Sequence, residues 1–299
     1  MRGLAANRSL RPGVFRTVSD TSLQPILALI GYPVAGNPAQ FMMERAFARH
    51  QLDCRFLTLE VAPDDLGDAI RGMRAMGFLG GKCADPHKKA VIPFLSRVSQ
   101  TAALVGAVNF IARDGSDLFG DNTEGRGLLS ALRRLTDPAG KRVVLLGAGN
   151  AARAIGVELA AAKVAEFVVV NRDEARGVEL VELLAGKLHV PATWAPWDGD
   201  YAVPSETQVL IHATSLGRDD MDARVPLRLD TLRGDVIVAD VTLDPPRTQL
   251  LCEAQEHGCK TIDGLEIFVH QASFELQRWT SVEPDPVVMR EAVEEFLLL

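Results

Sequence analysis

One stretch limits the fold of this chain more than any other. It reads Arg142-Val143-Val144-Leu145-Leu146-Gly147-Ala148-Gly149-Asn150-Ala151-Ala152-Arg153: an uninterrupted apolar strand, a glycine turn, and the start of an alanine-rich helix. A strand that is apolar at every position must be covered on both faces, as in a parallel sheet flanked by helices. A second apolar run follows at residues 167–170, so the segment is a strand–helix–strand unit. In that setting the glycine spacing carries meaning that a lone match would not. Gly147 permits the tight turn, Gly149 lets the backbone approach a bound pyrophosphate, and Ala152 lets the helix pack on the strand. The unpaired N–H groups and positive dipole end of the helix then hold the phosphates. A nicotinamide dinucleotide is the expected cofactor. The second strand ends at Asn171-Arg172-Asp173. An acid there would hold the ribose hydroxyl of NAD, whereas an Arg accommodates the 2′-phosphate of NADP. Arg172 favours NADP, with NAD as the alternative if Asp173 points inward.

The 299 residues suggest two domains, and strand-like and helix-like runs alternate from Ile26 onward. Strands are predicted at 26–30, 55–61, 142–146, 167–170, 209–211 and 236–241. Helices are predicted at 40–50, 64–76, 151–162, 266–279 and 285–297. This alternation predicts an α/β fold of parallel sheets with helices on their faces. The pattern changes character after Gly125. The net charge of −7 leaves no excess of Lys and Arg for a nucleic-acid surface. No apolar run approaches the roughly 18 residues of a membrane helix. Cys54, Cys83, Cys252 and Cys259 show no metal-binding spacing, so no metal is expected, and they read as buried thiols of a cytoplasmic protein. Residues 1–24, with Arg2, Arg8, Arg11 and Arg16, read as a flexible extension.

A hydride-transfer site needs a group that gives or takes the hydroxyl proton. Lys88, shortly after Pro86 at a predicted helix start, and Asn109 and Asp121 around short strands are polar beyond the needs of a core. On residue type alone each is equally a surface or turn residue.

The order of motifs separates these readings. Gly31-Tyr32-Pro33-Val34, Pro86-His87-Lys88, Gly106-Ala107-Val108-Asn109, Gly120-Asp121-Asn122-Thr123-Glu124-Gly125, Gly147-Ala148-Gly149, Asn171-Arg172, Ala213-Thr214-Ser215-Leu216-Gly217 and Asp263-Gly264-Leu265-Glu266 with His270-Gln271 occur in sequence. From Gly31 to about Trp279 this resembles the shikimate/quinate dehydrogenase family. The resemblance implies an N-terminal substrate domain (1–124), a Rossmann domain (125–262) and C-terminal helices (263–299) returning to the first domain. It implies oxidation of a ring hydroxyl to a ketone with hydride passing to NAD(P), a step of aromatic amino acid biosynthesis. Lys88 and Asp121 match the family's catalytic pair, and Asn109 and Gln271 its substrate hydrogen-bonders. Gly147, Ala148, Gly149, Asn150 and Ala151 match its pyrophosphate turn, Asn171 and Arg172 its ribose contact, and Thr214 lies in its cofactor motif.

The departures bear on the substrate. The family's His-Ser-x-Ser-Pro stretch, whose serines hold a carboxylate, is Gly36-Asn37-Pro38-Ala39-Gln40 here, and Asn-Val-Thr before the Lys is Lys82-Cys83-Ala84. Leu243 replaces a Tyr, and His212 an Asn. A site built to hydrogen-bond particular groups discriminates strongly, so these changes alter substrate choice. Asn37 and Lys82 are the expected replacements, Lys82 as a substitute anion partner. The reading is a shikimate- or quinate-like hydroxy acid dehydrogenase, as a monomer or homodimer. The alternatives are a paralogue acting on another hydroxylated acid and a catalytically idle sensor. Retention of Lys88 with Asp121 argues against a sensor.

Overall fold

The computed structural model describes residues 23–217 and 223–299. The basic extension expected over residues 1–24 therefore lies, up to residue 22, outside the described residues. The predicted strands and helices appear within a few residues of their expected positions, and they build two six-stranded sheets.

The first sheet contains β1 (Ile26–Gly31), β2 (Arg55–Glu60), β3 (Gly80–Cys83), β4 (Arg97–Val98), β5 (Phe110–Asp114) and β6 (Asp117–Asp121), in the order β2-β1-β3-β5-β6-β4. Helices α1 (Ala39–Arg49), α2 (Leu66–Ala75), α3 (His87–Ala90) and α4 (Gln100–Val105) connect them. This sheet is mixed, where the sequence pattern predicts parallel strands: β5 runs antiparallel to both β3 and β6. The cause is local. Only Gly115 and Ser116 join β5 to β6, and Gly115 sits at φ +64°. Two residues close a hairpin, whereas a parallel crossover needs a dozen or more.

After α5 (Glu124–Arg133) come β7 (Arg142–Leu146), α6 (Asn150–Ala161), β8 (Glu166–Asn171), α7 (Glu174–Val181) and β9 (Ala192–Pro196). A small parallel pair, β10 (Tyr201–Ala202) with β12 (Leu227–Arg228), flanks β11 (Val209–His212) in the chain. Then follow β13 (Ile237–Asp240), α8 (Gln249–Glu256) and β14 (Lys260–Ile262). The second sheet is wholly parallel in the order β14-β13-β11-β7-β8-β9. Its central strands are buried almost throughout, as their continuous apolar sequences require. Chain order reverses between β7 and β11, and ligands of open α/β sheets bind outside the strand ends at such a switch point.

Helices α9 (Gly264–Thr280) and α10 (Pro286–Leu297) return to the first sheet. Asp263 starts α9 by accepting the Glu266 N–H at 2.6 Å. Asp285 starts α10 with Pro286 in its first position. Leu265, Val269, Leu276 and Met289 bury with Leu27, Met43, Phe47 and Phe56 in one core. Trp279 stacks on Phe110 at 4.9 Å and donates Nε1–H to the Ile111 carbonyl at 2.9 Å. Trp279→Ala should therefore cost about 3–5 kcal/mol. Trp279→Phe keeps a ring and loses the hydrogen bond, and should cost about 1–2 kcal/mol. Urea unfolding of the two variants, read against the parent, measures both.

Candidate active site

Two cavities adjoin, and residues from both halves of the molecule line the larger of them. The larger, about 420 Å³, is lined by Asn37, Lys82, Lys88, Asn109, Glu124 and Gln271 among others. The second, about 300 Å³, lies over the ends of β7, β8 and β11 and is lined by Gly147, Ala148, Gly149, Asn150, Ala151, Asn171, Arg172 and Thr214. Asn150 and Ala151 line both, so the cavities meet at the first turn of α6.

The second cavity fits a dinucleotide. Gly147 has φ +109°, and a Cβ there would meet the Ala213 carbonyl at 2.7 Å. Gly149 is extended, and nothing lies within 4 Å of where its Cβ would be. Its missing side chain serves no packing purpose; it leaves space in front of α6. No side chain caps α6, so its leading N–H groups stay available for phosphate oxygens. Arg172 and Arg176 line the same cavity. Asp173, which would oppose a phosphate, is the N-cap of α7: its Oδ1 accepts the Arg176 N–H at 3.1 Å, and its Oδ2 lies 3.5 Å from the Arg176 guanidinium. Arg176 was legible only as a basic residue one helical turn beyond Arg172. Trp197 is buried and also lines this cavity.

Thr214 is held from behind. Its hydroxyl lies 2.6 Å from His212 Nε2, and His212 Nδ1 lies 3.1 Å from Asp240 Oδ2. Burial pushes the Asp240 carboxyl up, but His212 and the Thr242 amide outweigh it and hold it below the usual carboxylate range.

In the larger cavity Lys88, on the single turn of α3, places Nζ 2.5 Å from Glu124 Oε1 and 3.5 Å from Asp85 Oδ2. This corrects the expected partner. Asp121 ends β6 with its side chain on the Ser99 hydroxyl, the Asn122 amide and, at 3.5 Å, Arg126, away from Lys88. Glu124 begins α5 three residues later and reaches the lysine. Burial pulls the Lys88 pKa down, yet Glu124 and then Asp85 override it and raise it above the ordinary lysine value. Lys88 is thus held as an ammonium ion beside the cavity. Cys83 also lines the cavity, but burial pushes its thiol up to about 12, so it offers no thiolate nucleophile.

Lys82 lines the cavity as expected but is no free cation: its Nζ lies 2.5 Å from Glu275 Oε2, both side chains being buried. The role of substitute anion partner fails on that pairing. Asn37 gives its Oδ1 to the Ala39 amide at 2.9 Å, which leaves its NH2 group for a ligand. Ala39, the first residue of α1, is fully buried. Asn109 and Gln271 both face the cavity. Among the described residues no group of three or more His, Cys, Asp or Glu is placed to hold a metal ion.

A dinucleotide crevice joined to a cavity with a Lys–carboxylate pair defines a nicotinamide-dependent oxidoreductase acting on a CH–OH group. The profile of the shikimate dehydrogenase substrate binding domain matches residues 29–111, and that of shikimate / quinate 5-dehydrogenase matches residues 130–215. Shikimate dehydrogenase (NADP(+)) of Moorella thermoacetica is 37% identical over 274 residues, 90% of this chain and 92% of that one. The ligand-free 5-ketofructose reductase of Gluconobacter sp. strain CHM43 superposes with TM-score 0.90 at 38% identity, over 92% of this chain and 99% of that one. Shikimate 5-dehydrogenase of Listeria monocytogenes, in complex with shikimate and NAD, superposes with TM-score 0.85 at 30% identity, over 93% and 99%. The chain belongs to the shikimate/quinate dehydrogenase family. It is an NAD(P)-dependent oxidoreductase of that type, interconverting a hydroxyl and a ketone.

Two outcomes follow from the geometry. Arg176→Ala should weaken NADP binding about tenfold, the loss of a charge-assisted contact at an exposed rim, and leave NAD nearly unchanged. Fluorescence titration of both dinucleotides reads this. If Lys88 gives the proton in ketone reduction, its ammonium form is the active one, and the rate is full below its pKa and lost above it. Glu124→Gln removes the nearer carboxylate and leaves Asp85 alone to oppose burial. The alkaline fall of kcat/KM should then move to lower pH. An unmoved alkaline limb would reject Lys88 as the proton donor.

Proposed function

We propose that the chain is an NADP(H)-dependent oxidoreductase whose substrate is an uncharged polyhydroxy ketone or the corresponding alcohol. The observation that carries this is the charge balance of the larger cavity. Both ammonium groups that line it are already met: Lys88 by Glu124 and Asp85, and Lys82 by the buried Glu275 behind it. The positions of the family's two carboxylate-holding serines are Asn37 and Ala39. A carboxylate entering this cavity would lose its water without gaining an unpaired cation. Hydroxyl groups, which both donate and accept, suit the amides of Asn37, Asn109 and Gln271.

Bound NADPH supplies the hydride. Lys88 donates a proton to the carbonyl oxygen as the alcohol forms, and Glu124 keeps the ammonium aimed and balances its charge. Arg172 and Arg176 would hold the 2′-phosphate, and Gly149 with the first turn of α6 would hold the pyrophosphate. The similarity to 5-ketofructose reductase supports the uncharged substrate. A hydroxy acid is the second reading, favoured by the curated relatives named shikimate dehydrogenase.

We place the protein in the cytoplasm, as a monomer or homodimer. Its four cysteines are free thiols, and no described helix is long and apolar enough to cross a membrane.

The test is a substrate panel. Full-length protein should oxidise NADPH with 5-ketofructose at a kcat/KM at least about a hundredfold above that for shikimate or quinate with NADP. Efficient turnover of shikimate with none of the ketose would establish the hydroxy-acid reading instead.

A further inference from the structure

Lys82, which lines the larger cavity, is held from behind by Glu275 in an ion pair that proton transfer at Lys88 does not use. Lys82 comes from β3 and Glu275 from α9, and their side chains are 7% and 0% exposed. Burying such a pair costs desolvation, and its presence is weak evidence of added stability. The hydrogen bonds around it give it another purpose.

Glu275 Oε1 accepts from the Thr123 hydroxyl at 2.6 Å and from Gln271 Nε2 at 2.8 Å. A carboxylate only accepts. The Gln271 amide is therefore fixed with its NH2 toward Glu275 and its Oε1 left for the cavity it lines. The Thr123 proton being engaged by Glu275, its oxygen accepts from Asn109 Nδ2 at 3.0 Å. Asn109 Oδ1 in turn accepts the Thr123 amide at 2.8 Å. What remains of Asn109 for a ligand is an N–H donor.

We propose that Glu275 is a specificity-determining residue, setting an alternating pattern of hydrogen-bond donors (Lys82, Asn109) and an acceptor (Gln271) that fits neighbouring hydroxyls and opposes a carboxylate. This rests on the uncharged-substrate reading and names its physical source. A hydroxyl satisfies the Gln271 oxygen by donating to it, whereas a carboxylate would face that oxygen with no proton to give. Glu275 also cancels the one buried cation that would otherwise attract an anion to the cavity.

The experiment compares the parent with Glu275→Gln, which keeps the shape, frees Lys82 and lets the Gln271 amide turn. With 5-ketofructose, KM should rise at least about tenfold with kcat little changed, while the inhibition constant of shikimate falls about tenfold. NADP affinity should be unchanged. A pair that serves stability alone would lower the melting temperature and depress both ligands together, and that result overturns the proposal. If Glu275→Gln does not fold, the double variant Lys82→Asn, Glu275→Ala leaves no buried orphan charge. The ratio of ketose to shikimate affinity should then fall at least about tenfold, and an unchanged ratio rejects the role. Preference of the parent for shikimate would overturn the substrate reading itself. Preference for the ketose with an unaltered ratio in the variants would overturn only the role of Glu275.

Discussion

Helix α5 lies in backbone contact with two other helices, and the geometry of the cleft follows from that. A Cβ on Gly125 would meet the Ala154 carbonyl of α6 at 2.3 Å, and one on Gly127 would meet the Ile267 carbonyl of α9 at 2.4 Å. No side chain larger than hydrogen fits at either place. The two glycines wedge α5 between the helix that faces the dinucleotide and the helix that carries Gln271 and Glu275. Glu124, at the first position of α5, is thereby fixed relative to both. A proton donor must be placed against a hydroxyl carbon and a nicotinamide at once, and small misplacements are expensive in rate.

Helix α9 then joins recognition to stability. Gln271, Glu275 and Trp279 lie four residues apart, so they share one helix face. At the near end that face orders the cavity amides; at the far end Trp279 stacks on Phe110 beneath the first sheet. Between them Ala272 and Leu276 are fully buried. The rigidity that the amide pattern needs is supplied by the same apolar packing that holds the C-terminal helices to the sheet.

What the sequence disclosed follows the range of the interactions. The turn from β7 into α6 was legible because each requirement, from Gly147 to Ala152, is met within a dozen residues. The choice between Asp121 and Glu124 was not. Both acids sit in one hexapeptide, and only the direction in which β6 ends and α5 begins turns Asp121 to Ser99 and Glu124 to Lys88. The hairpin of β5 and β6 carried a local signal in Asp114-Gly115-Ser116, which the alternation of strands and helices obscured. Lys82 and Glu275 offered none. They are far apart in the chain, and an isolated Lys in a glycine-rich stretch reads equally as a solvated charge.

The two cavities solve opposite electrostatic problems side by side. The dinucleotide cavity presents bare helix N–H groups with Arg172 and Arg176 in its lining, and Asp173 beside them is engaged in capping α7. The larger cavity carries ammonium groups only where a carboxylate already meets them. They touch at Asn150 and Ala151, so a dinucleotide held at the first turn of α6 would keep its phosphates on one side of that boundary. Paired charges beyond it keep Lys88 protonated without drawing a second anion into the cleft. A lysine left unpaired there would attract phosphate and carboxylate alike, while burial would pull its pKa down. On the proposed reading, the acid beside each lysine is what separates proton donation from anion binding in a site next to a dinucleotide.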